Sequence, residues 1–255
     1  MSKRFWKCIS YLSAILAVLC ILIVIKQYAD SSYVLEVLES IPTDNTETVL
    51  STESTEPIIN FSTRTIDFET LKIQNPDVYA WIEVPGTKID YPILQHETDN
   101  TYYLTHTIDH EKTVAASIYT ENYNAKDFND LHTVIYGHNM KNQTMFRTLH
   151  NFESYDFFNE NRDIIIFLPE ETRYYKVFAA YTYDNRHLLF SFDWSTPETF
   201  QNYIDEIMAI DNDAAFIDNE MHVTGKDNII TLSTCVNSGD ATKRYLVQAV
   251  LVSIK

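Results

Sequence analysis

One cysteine in this sequence stands where a thiol can act as a nucleophile. Of the three cysteines in 255 residues, Cys8 and Cys20 fall in or beside an apolar N-terminal run, whereas Cys235 ends the segment "NIITLSTC". A thiol attacks as the thiolate, so it needs a cation or a base nearby. Strand alternation puts Cys235 on one side with Thr231 and Ser233, so we expect the thiol on the more polar face, at the rim of a sheet.

A histidine follows a second strand in the same way. The segment "TVIYGHNM" predicts a strand from Thr133 to Tyr136, after which Gly137 breaks the strand and His138 follows. With four glycines in the chain, one directly before a histidine is expected to serve a special backbone geometry. Taken alone, this segment is more often a turn with a chance histidine. Because the sequence also has a cysteine at a strand end, the interpretation of His138 as a base for the thiol is favoured.

An arginine opens the strand after the cysteine. The polar loop 236–243 ends at Arg244. If the two strands pair antiparallel, Arg244 starts where Cys235 ends, and its guanidinium can donate to an oxyanion or a substrate carbonyl. The alternatives are a surface arginine that caps the loop, and an oxyanion site made of backbone N–H groups near Cys235.

The elements that position these residues are mostly strands. Short segments rich in β-branched and aromatic residues predict a closed or partly closed β-barrel with inserted helices. One helix is predicted at 197–208, capped by Ser195 or Thr196, with an apolar face that packs on the sheet. A second helical segment begins at Phe68. The strand candidates are Ile89–Leu94, Val114–Tyr119, Thr133–Tyr136, Ile164–Leu168, Tyr174–Thr182, Ile229–Thr234 and Arg244–Val252.

The N-terminus carries a membrane signal. The apolar run Ile9–Ile25 follows Lys3, Arg4 and Lys7. It covers about 25 Å as a helix, the short end of a membrane span. The positive flank predicts a cytoplasmic N-terminus, 1–8, and an extracellular remainder. A cleaved signal peptide is the alternative, but no clean small-x-small site follows, so an uncleaved single-pass anchor in the cell membrane is favoured.

Residues 26–65 predict a connection between the anchor and the domain. A juxtamembrane helix at Tyr33–Ser40 is followed by a Ser/Thr/Glu-rich tether at Pro42–Pro57, and the folded domain is expected at 66–255. Residues 1–26 hold four cations and no acids, which leaves 15 of the 19 Lys+Arg against all 36 Asp+Glu. So acidic a domain argues against a nucleic-acid partner. With one exported cysteine, either a reactive thiol or an intermolecular disulfide is indicated.

The cysteine, histidine and arginine segments together resemble the sortases, the membrane-anchored cysteine transpeptidases of Gram-positive bacteria. The family signature appears here as "TLSTC", "YGHNM" and "KRYLV". Class B is the most similar, because "WIEVPGTKIDYPILQ", "DNTYYL", "YGHNM", "TMF" and "TLSTC" follow its order and the helix at 197–208 matches its inserted helix. The resemblance covers about 66–255 and implies a sortase-like eight-stranded β-barrel with inserted and N-terminal helices.

The resemblance also implies roles for individual residues. Cys235 would be the nucleophile, His138 the acid/base group and Arg244 the clamp on the oxyanion or substrate. The implied substrate groove has its contacts at Tyr136, Ser233 and Leu94, with a wall at Leu189 and Phe190. No metal or cofactor is implied, and the sequence contains neither HExxH nor CxxC.

The implied reaction is cleavage of a C-terminal sorting signal of surface proteins after threonine, with transfer of the acyl group to a peptidoglycan amine. A pilin lysine as acceptor, a cysteine peptidase that only hydrolyses, and a non-catalytic wall-binding module remain as alternatives. The sequence departs from the class pattern after the cysteine, where Val236 and Asn237 stand in place of the acids of some members. Asp240 is interpreted as a solvated loop acid.

Overall fold

The computed structural model describes residues 61–212 and 214–255. The predicted membrane segment 9–25, the juxtamembrane helix Tyr33–Ser40 and the tether Pro42–Pro57 lie outside the described residues. Across the ranges that are described, no helix combines the length and the apolar composition needed to cross a bilayer.

Strands make up most of the regular structure in the described part of the chain. Valine, isoleucine and aromatic side chains dominate them, as the pleated surface of a sheet favours. Their bounds are β1 (Val78–Val84), β2 (Ile89–Leu94), β3 (Ile118–Thr120), β4 (His132–Tyr136), β5 (Asp163–Phe167), β6 (Thr172–Asp184), β7 (Phe216–Ile217), β8 (Ile229–Cys235) and β9 (Lys243–Ile254).

The helices are short and lie between the strands. They are α1 (Phe68–Gln74), α2 (Tyr155–Glu160), α3 (Leu188–Ser191) and α4 (Pro197–Met208), with 3₁₀ segments at Tyr102–Leu104 and Arg147–Glu153. The predicted helix at 197–208 is confirmed. Thr196 is its N-cap and forms a reciprocal capping box with Thr199, while Pro197 occupies the first turn.

Eight of the strands close into a barrel. Hydrogen bonds connect them in the order β5-β1-β2-β3-β4-β8-β9-β6, and β6 pairs back onto β5. The two-residue strand β7 extends the sheet beside β6. Closure leaves no unpaired edge in the barrel wall. The predicted eight-stranded β-barrel is confirmed.

The barrel has two buried layers, one on each side of β8. Ile230 and Leu232 face the interior among residues from the other strands. Ile229 faces outward into a second cluster that the apolar face of α4 covers. Phe200 and Tyr203 of α4 are buried there, as the helical spacing predicts.

Two strands of the barrel differ from the predictions. No strand is predicted at β1, yet Val78–Val84 is a nearly fully buried strand between β2 and β5. Conversely, the strand predicted at Val114–Tyr119 begins only at Ile118, and Val114 is exposed. Hydrophobic content alone does not decide pairing, because a strand forms where a neighbouring backbone is available.

Candidate active site

The parallel pairing of β4 and β8 brings Cys235 and His138 to the same rim of the barrel. Tyr136 and Ser233 are Cα partners in this pairing. The Gly137 N–H continues the ladder by donating to the Ser233 carbonyl at 3.2 Å. Cys235 and His138 each lie two residues beyond these partners, so they leave the sheet at the same height.

Arg244 is the direct Cα partner of Cys235 in the antiparallel pairing of β8 and β9. Its Nη1 donates to the carbonyls of Ala241 at 3.2 Å and Lys243 at 2.8 Å. Within the described residues these carbonyls are its only hydrogen-bond partners, so no carboxylate neutralises its charge. The guanidinium keeps further N–H groups with which it can meet an oxyanion.

Cys235 is exposed, with a free thiol, at the end of a face that is otherwise buried. Thr231 on that face has its Oγ1 2.9 Å from Gln248 Nε2 and 2.7 Å from His132 Nε2. Ser233 is also buried. The polar face predicted for this strand is therefore buried up to its last residue, which reaches solvent at the rim.

The ring of His138 is fixed by a backbone carbonyl. Its Nε2 lies 2.8 Å from the Leu104 oxygen. A carbonyl only accepts, so Nε2 carries a proton and Nδ1 is the nitrogen that can exchange one. The contact leaves His138 with one fixed orientation and one reactive nitrogen.

Gly137 is needed for close packing. Gly86 and Gly239 have positive φ and Gly137 does not, so the prediction of a special backbone geometry at Gly137 is wrong. A Cβ at this position would lie 2.5 Å from Ile118 Cδ1 and 2.6 Å from Phe146 Cγ. Those distances are shorter than any van der Waals contact, so only glycine lets the chain before His138 lie against the barrel core.

A cavity of about 250 Å³ opens at this rim. Cys235, His138 and Arg244 all line it, together with Tyr136 and Ser233 from the predicted groove. The structure therefore brings five of the eight predicted site residues to one cavity.

The other three groove predictions have different surroundings. Leu94 is buried in a separate apolar cluster with Tyr103, and it is not among the described residues that line the cavity. Leu188 lines the cavity where Leu189 and Phe190 are predicted to form its wall. Phe190 is 65% exposed, and its ring stacks on that of His187.

Glu121 and His187 form a polar wall that the sequence analysis does not predict. Glu121 Oε2 lies 2.7 Å from His187 Nε2 and accepts from the Tyr136 hydroxyl at 3.2 Å. Burial, and then the charge of Glu121, raise the pKa of Tyr136, so its hydroxyl stays a neutral donor. Glu121 directly follows β3, which begins at this rim because it runs antiparallel to β4, so no strand end at the rim marks Glu121 in the sequence.

The loop after Cys235 is held by its own side chains. Asp240 accepts from the Thr242 N–H at 2.9 Å and from its hydroxyl at 2.6 Å. These hydrogen bonds lower the pKa of Asp240. Its carboxylate therefore closes a turn, in keeping with the interpretation of an exposed loop acid. Asn237 contacts Asn139 and Arg147 on the neighbouring segment.

A family model described as Sortase domain matches residues 82–252. The chain belongs to the sortase family. Sortase B of Listeria monocytogenes is 32% identical to this sortase over 188 residues, which cover 73% of this chain and 74% of the relative. As the family implies, this sortase is a cysteine transpeptidase.

Solved structures agree with that assignment. The crystal structure of Clostridium perfringens sortase B matches with a TM-score of 0.66 and 30% identity, covering 73% of this sortase and all of that chain. The Staphylococcus aureus sortase B–substrate complex matches with a TM-score of 0.63 and 30% identity, covering 72% and 83%. The β-barrel fold is thus shared with sortase B.

Proposed function

We propose that this sortase is a membrane-anchored class B enzyme that cleaves a C-terminal sorting signal of surface proteins after threonine and transfers the acyl group to a peptidoglycan amine. The observation that carries the proposal is the meeting of Cys235, His138 and Arg244 in one cavity at the ends of three adjacent strands. The similarity to a sortase B solved with its substrate supports a sorting peptide as the ligand.

In the first half-reaction, the Cys235 thiolate attacks the carbonyl carbon that follows the threonine. Arg244 donates hydrogen bonds to the oxyanion that forms. The carbon–nitrogen bond then breaks, and protonated His138 gives its proton to the leaving amine. The products are a thioester on Cys235 and a released C-terminal peptide.

In the second half-reaction, an acceptor amine attacks the thioester carbon. His138 takes the proton of the incoming nitrogen, Arg244 holds the second oxyanion, and the carbon–sulfur bond breaks. The thiolate of Cys235 is restored, and a new amide joins the surface protein to the acceptor. The open rim supports this order, because an acceptor must reach the thioester from solvent after the first product leaves.

We also propose that residues 9–25 anchor the enzyme in the cell membrane as a single-pass segment, with residues 1–8 in the cytoplasm and the catalytic domain outside. The support is the apolar run and its flanking cations.

Mass spectrometry of a sorting-peptide library, incubated with the full chain in detergent, tests the activity. We expect cleavage after threonine and, with oligoglycine or a diaminopimelate amine present, a new amide product. Cys235→Ala is the control and should leave the library intact. Cleavage by this variant would overturn the assignment of the nucleophile.

The products also separate the alternatives. Free acid alone, with every amine tested, would indicate a hydrolysing peptidase. Transfer to a pilin lysine peptide in preference to wall amines would indicate a pilin-polymerising sortase. An intact library, together with a Cys235 that resists a thiol-directed probe, would indicate a wall-binding module.

A further inference from the structure

The main-chain carbonyl of Cys235 accepts two side-chain hydrogen bonds. Asn139 Nδ2 donates to it at 2.8 Å and His150 Nε2 at 3.0 Å. Both donors come from the segment that follows His138, so this segment holds the main chain of the nucleophile. A carbonyl at the open end of a strand would otherwise face water.

His150 is buried and held on every side. Its Nδ1 lies 2.7 Å from Glu153 Oε1, and its ring stacks on Tyr245 with centroids 4.8 Å apart at 24°. Its side chain is only 5% exposed. The Cys235 carbonyl and the Glu153 carboxylate are both acceptors, so both contacts are hydrogen bonds when each ring nitrogen of His150 carries a proton.

Asn139 belongs to the same network, and its Nδ2 lies 3.1 Å from His150 Nε2. One Nδ2 proton goes to the Cys235 carbonyl and the other to Asn237 Oδ1 at 3.1 Å. Asn139 Oδ1 accepts from Arg147 Nη1 at 3.1 Å. The polar groups of this amide are therefore all paired, which fixes its orientation.

The residues after the nucleophile are tied to the same segment. Arg147 Nη1 also contacts Asn237 Oδ1, and Asn237 Nδ2 lies 3.4 Å from Glu153 Oε2. Glu153 thus contacts both His150 and Asn237. The charged groups that face His150 are Glu153 on its own segment and, through the two asparagines, Arg147.

We infer that His150 is a positioning residue for the nucleophile: with Glu153 it holds the peptide that follows Cys235 and places a positive charge one peptide unit from the thiol. The peptide is planar and trans, so fixing its oxygen restricts rotation at the end of β8 and with it the direction of the thiol. The inference rests on the proposed role of Cys235 as nucleophile.

His150→Phe and His150→Gln test the inference in the full chain. Phenylalanine keeps the stack on Tyr245 and loses both ring donors, whereas glutamine keeps a donor that reaches the Cys235 carbonyl and loses the charge. For peptide cleavage we expect His150→Phe to lower kcat about tenfold with KM within about twofold, because misplacing a reacting group costs rate. His150→Gln should return kcat to within about threefold of the unmodified enzyme.

The matched control is Tyr245→Phe. It preserves the stack and removes a hydroxyl that is buried without a partner in the described structure. We expect kcat and KM to be unchanged. Equal kcat in His150→Phe and the unmodified enzyme, or a His150→Gln variant as slow as His150→Phe, would overturn the inference.

A second measurement needs no sorting peptide. The rate of Cys235 alkylation by iodoacetamide at pH 7, followed by peptide mapping to separate it from Cys8 and Cys20, reports the thiolate fraction. We expect both His150 variants to react at least threefold more slowly, and Tyr245→Phe to be unchanged. Unchanged alkylation in both His150 variants would contradict the placement of a charge beside the thiol.

Glu153→Gln guards against a fold defect. Glu153 is exposed, so its replacement should leave the urea midpoint of unfolding unchanged while slowing alkylation. If the variants are alkylated slowly but the unmodified enzyme cleaves no sorting peptide, the proposed function is overturned and the inference stands. If Glu153→Gln is alkylated at the normal rate and the His150 variants cleave the peptide normally, the inference is overturned and the proposed function stands.

Discussion

Cys235 and Arg244 are Cα partners across β8 and β9, although the loop 236–243 separates them in the sequence. The antiparallel ladder therefore sets the separation of the two Cα atoms, and the loop only has to close. Tyr183 of β6 is the partner of Arg244 on the other side, so the strand that carries the arginine is held by both neighbours.

Substituting Arg244 tests the clamp. Arg244→Ala should lower kcat/KM for peptide cleavage about 100-fold, the usual cost of losing one oxyanion donor. Arg244→Lys keeps the charge but lacks the forked donors, so it should recover about tenfold of that loss. Lys243→Ala, the exposed neighbour, is the control and should stay within about twofold. Full activity in Arg244→Ala would assign the oxyanion site to backbone N–H groups.

Substituting Gly137 tests whether packing beneath His138 matters for catalysis. Gly137→Ala places a Cβ against Ile118 and Phe146, which should destabilise the fold by about 1–3 kcal/mol and displace His138. We expect kcat to fall together with the urea midpoint. Gly239→Asn is the control, because Gly239 has φ +76° and nothing within 4 Å of an added Cβ. A Gly137→Ala enzyme with unchanged stability would contradict the close contact.

His132 should make stability depend on pH. Burial lowers its pKa from 6.5 to about 3. In the unfolded chain His132 therefore binds a proton as the pH falls below about 6.5, whereas in the folded protein it stays neutral down to about pH 3. The contribution of His132 to the free energy of unfolding is therefore constant above about pH 6.5, and stability falls as the pH drops from there towards 3. The slope from this group is about 1.4 kcal/mol per pH unit at its steepest.

Urea unfolding from pH 7.5 to 4.5 measures this slope. His132→Phe should remove the part of the slope that comes from uptake of one proton. Phenylalanine is a suitable replacement because it fits among Trp194, Phe200 and Tyr203. His222→Phe, at an exposed position, is the matched control and should keep the full slope. Identical slopes in His132→Phe and the unmodified protein would show that His132 is protonated in the folded state.

The Glu121–His187 contact should hold the cavity wall. Glu121→Gln is expected to raise KM for the sorting peptide about threefold to tenfold with kcat within about twofold, because the pair lies on the wall and does not touch the reacting atoms. A double-mutant cycle with His187→Gln should give a coupling of about 0.5–1 kcal/mol. Zero coupling would show that the two side chains act independently.

The sequence predicts the part of the site that is built by regular strands. Cys235, His138 and Arg244 each follow or open a strand whose composition is clear, so alternation and turn residues place them at a rim. The closed barrel and the helix at 197–208 follow from the same local signals and from the family resemblance. These predictions succeed because periodicity encodes which side of an element is buried.

Contacts between distant segments were not accessible in the same way. Glu121 and His187 meet only because β3 and the segment before α3 face one cavity, and His150 reaches the Cys235 carbonyl from a 3₁₀ segment. Leu94 is predicted in the groove by resemblance, but its side chain is buried with Tyr103. Strand periodicity says which face a residue takes and does not say what that face meets.

The parallel pairing of β4 and β8 has a consequence for how the enzyme comes into being. His132 pairs with Ile229, so the histidine strand must wait for most of the domain before the cysteine strand joins it. Such distant pairings form slowly, after nearer contacts have been made. The thiol can therefore gain its partners only after β8 has been synthesised, and a chain interrupted before β8 contains His138 without the nucleophile.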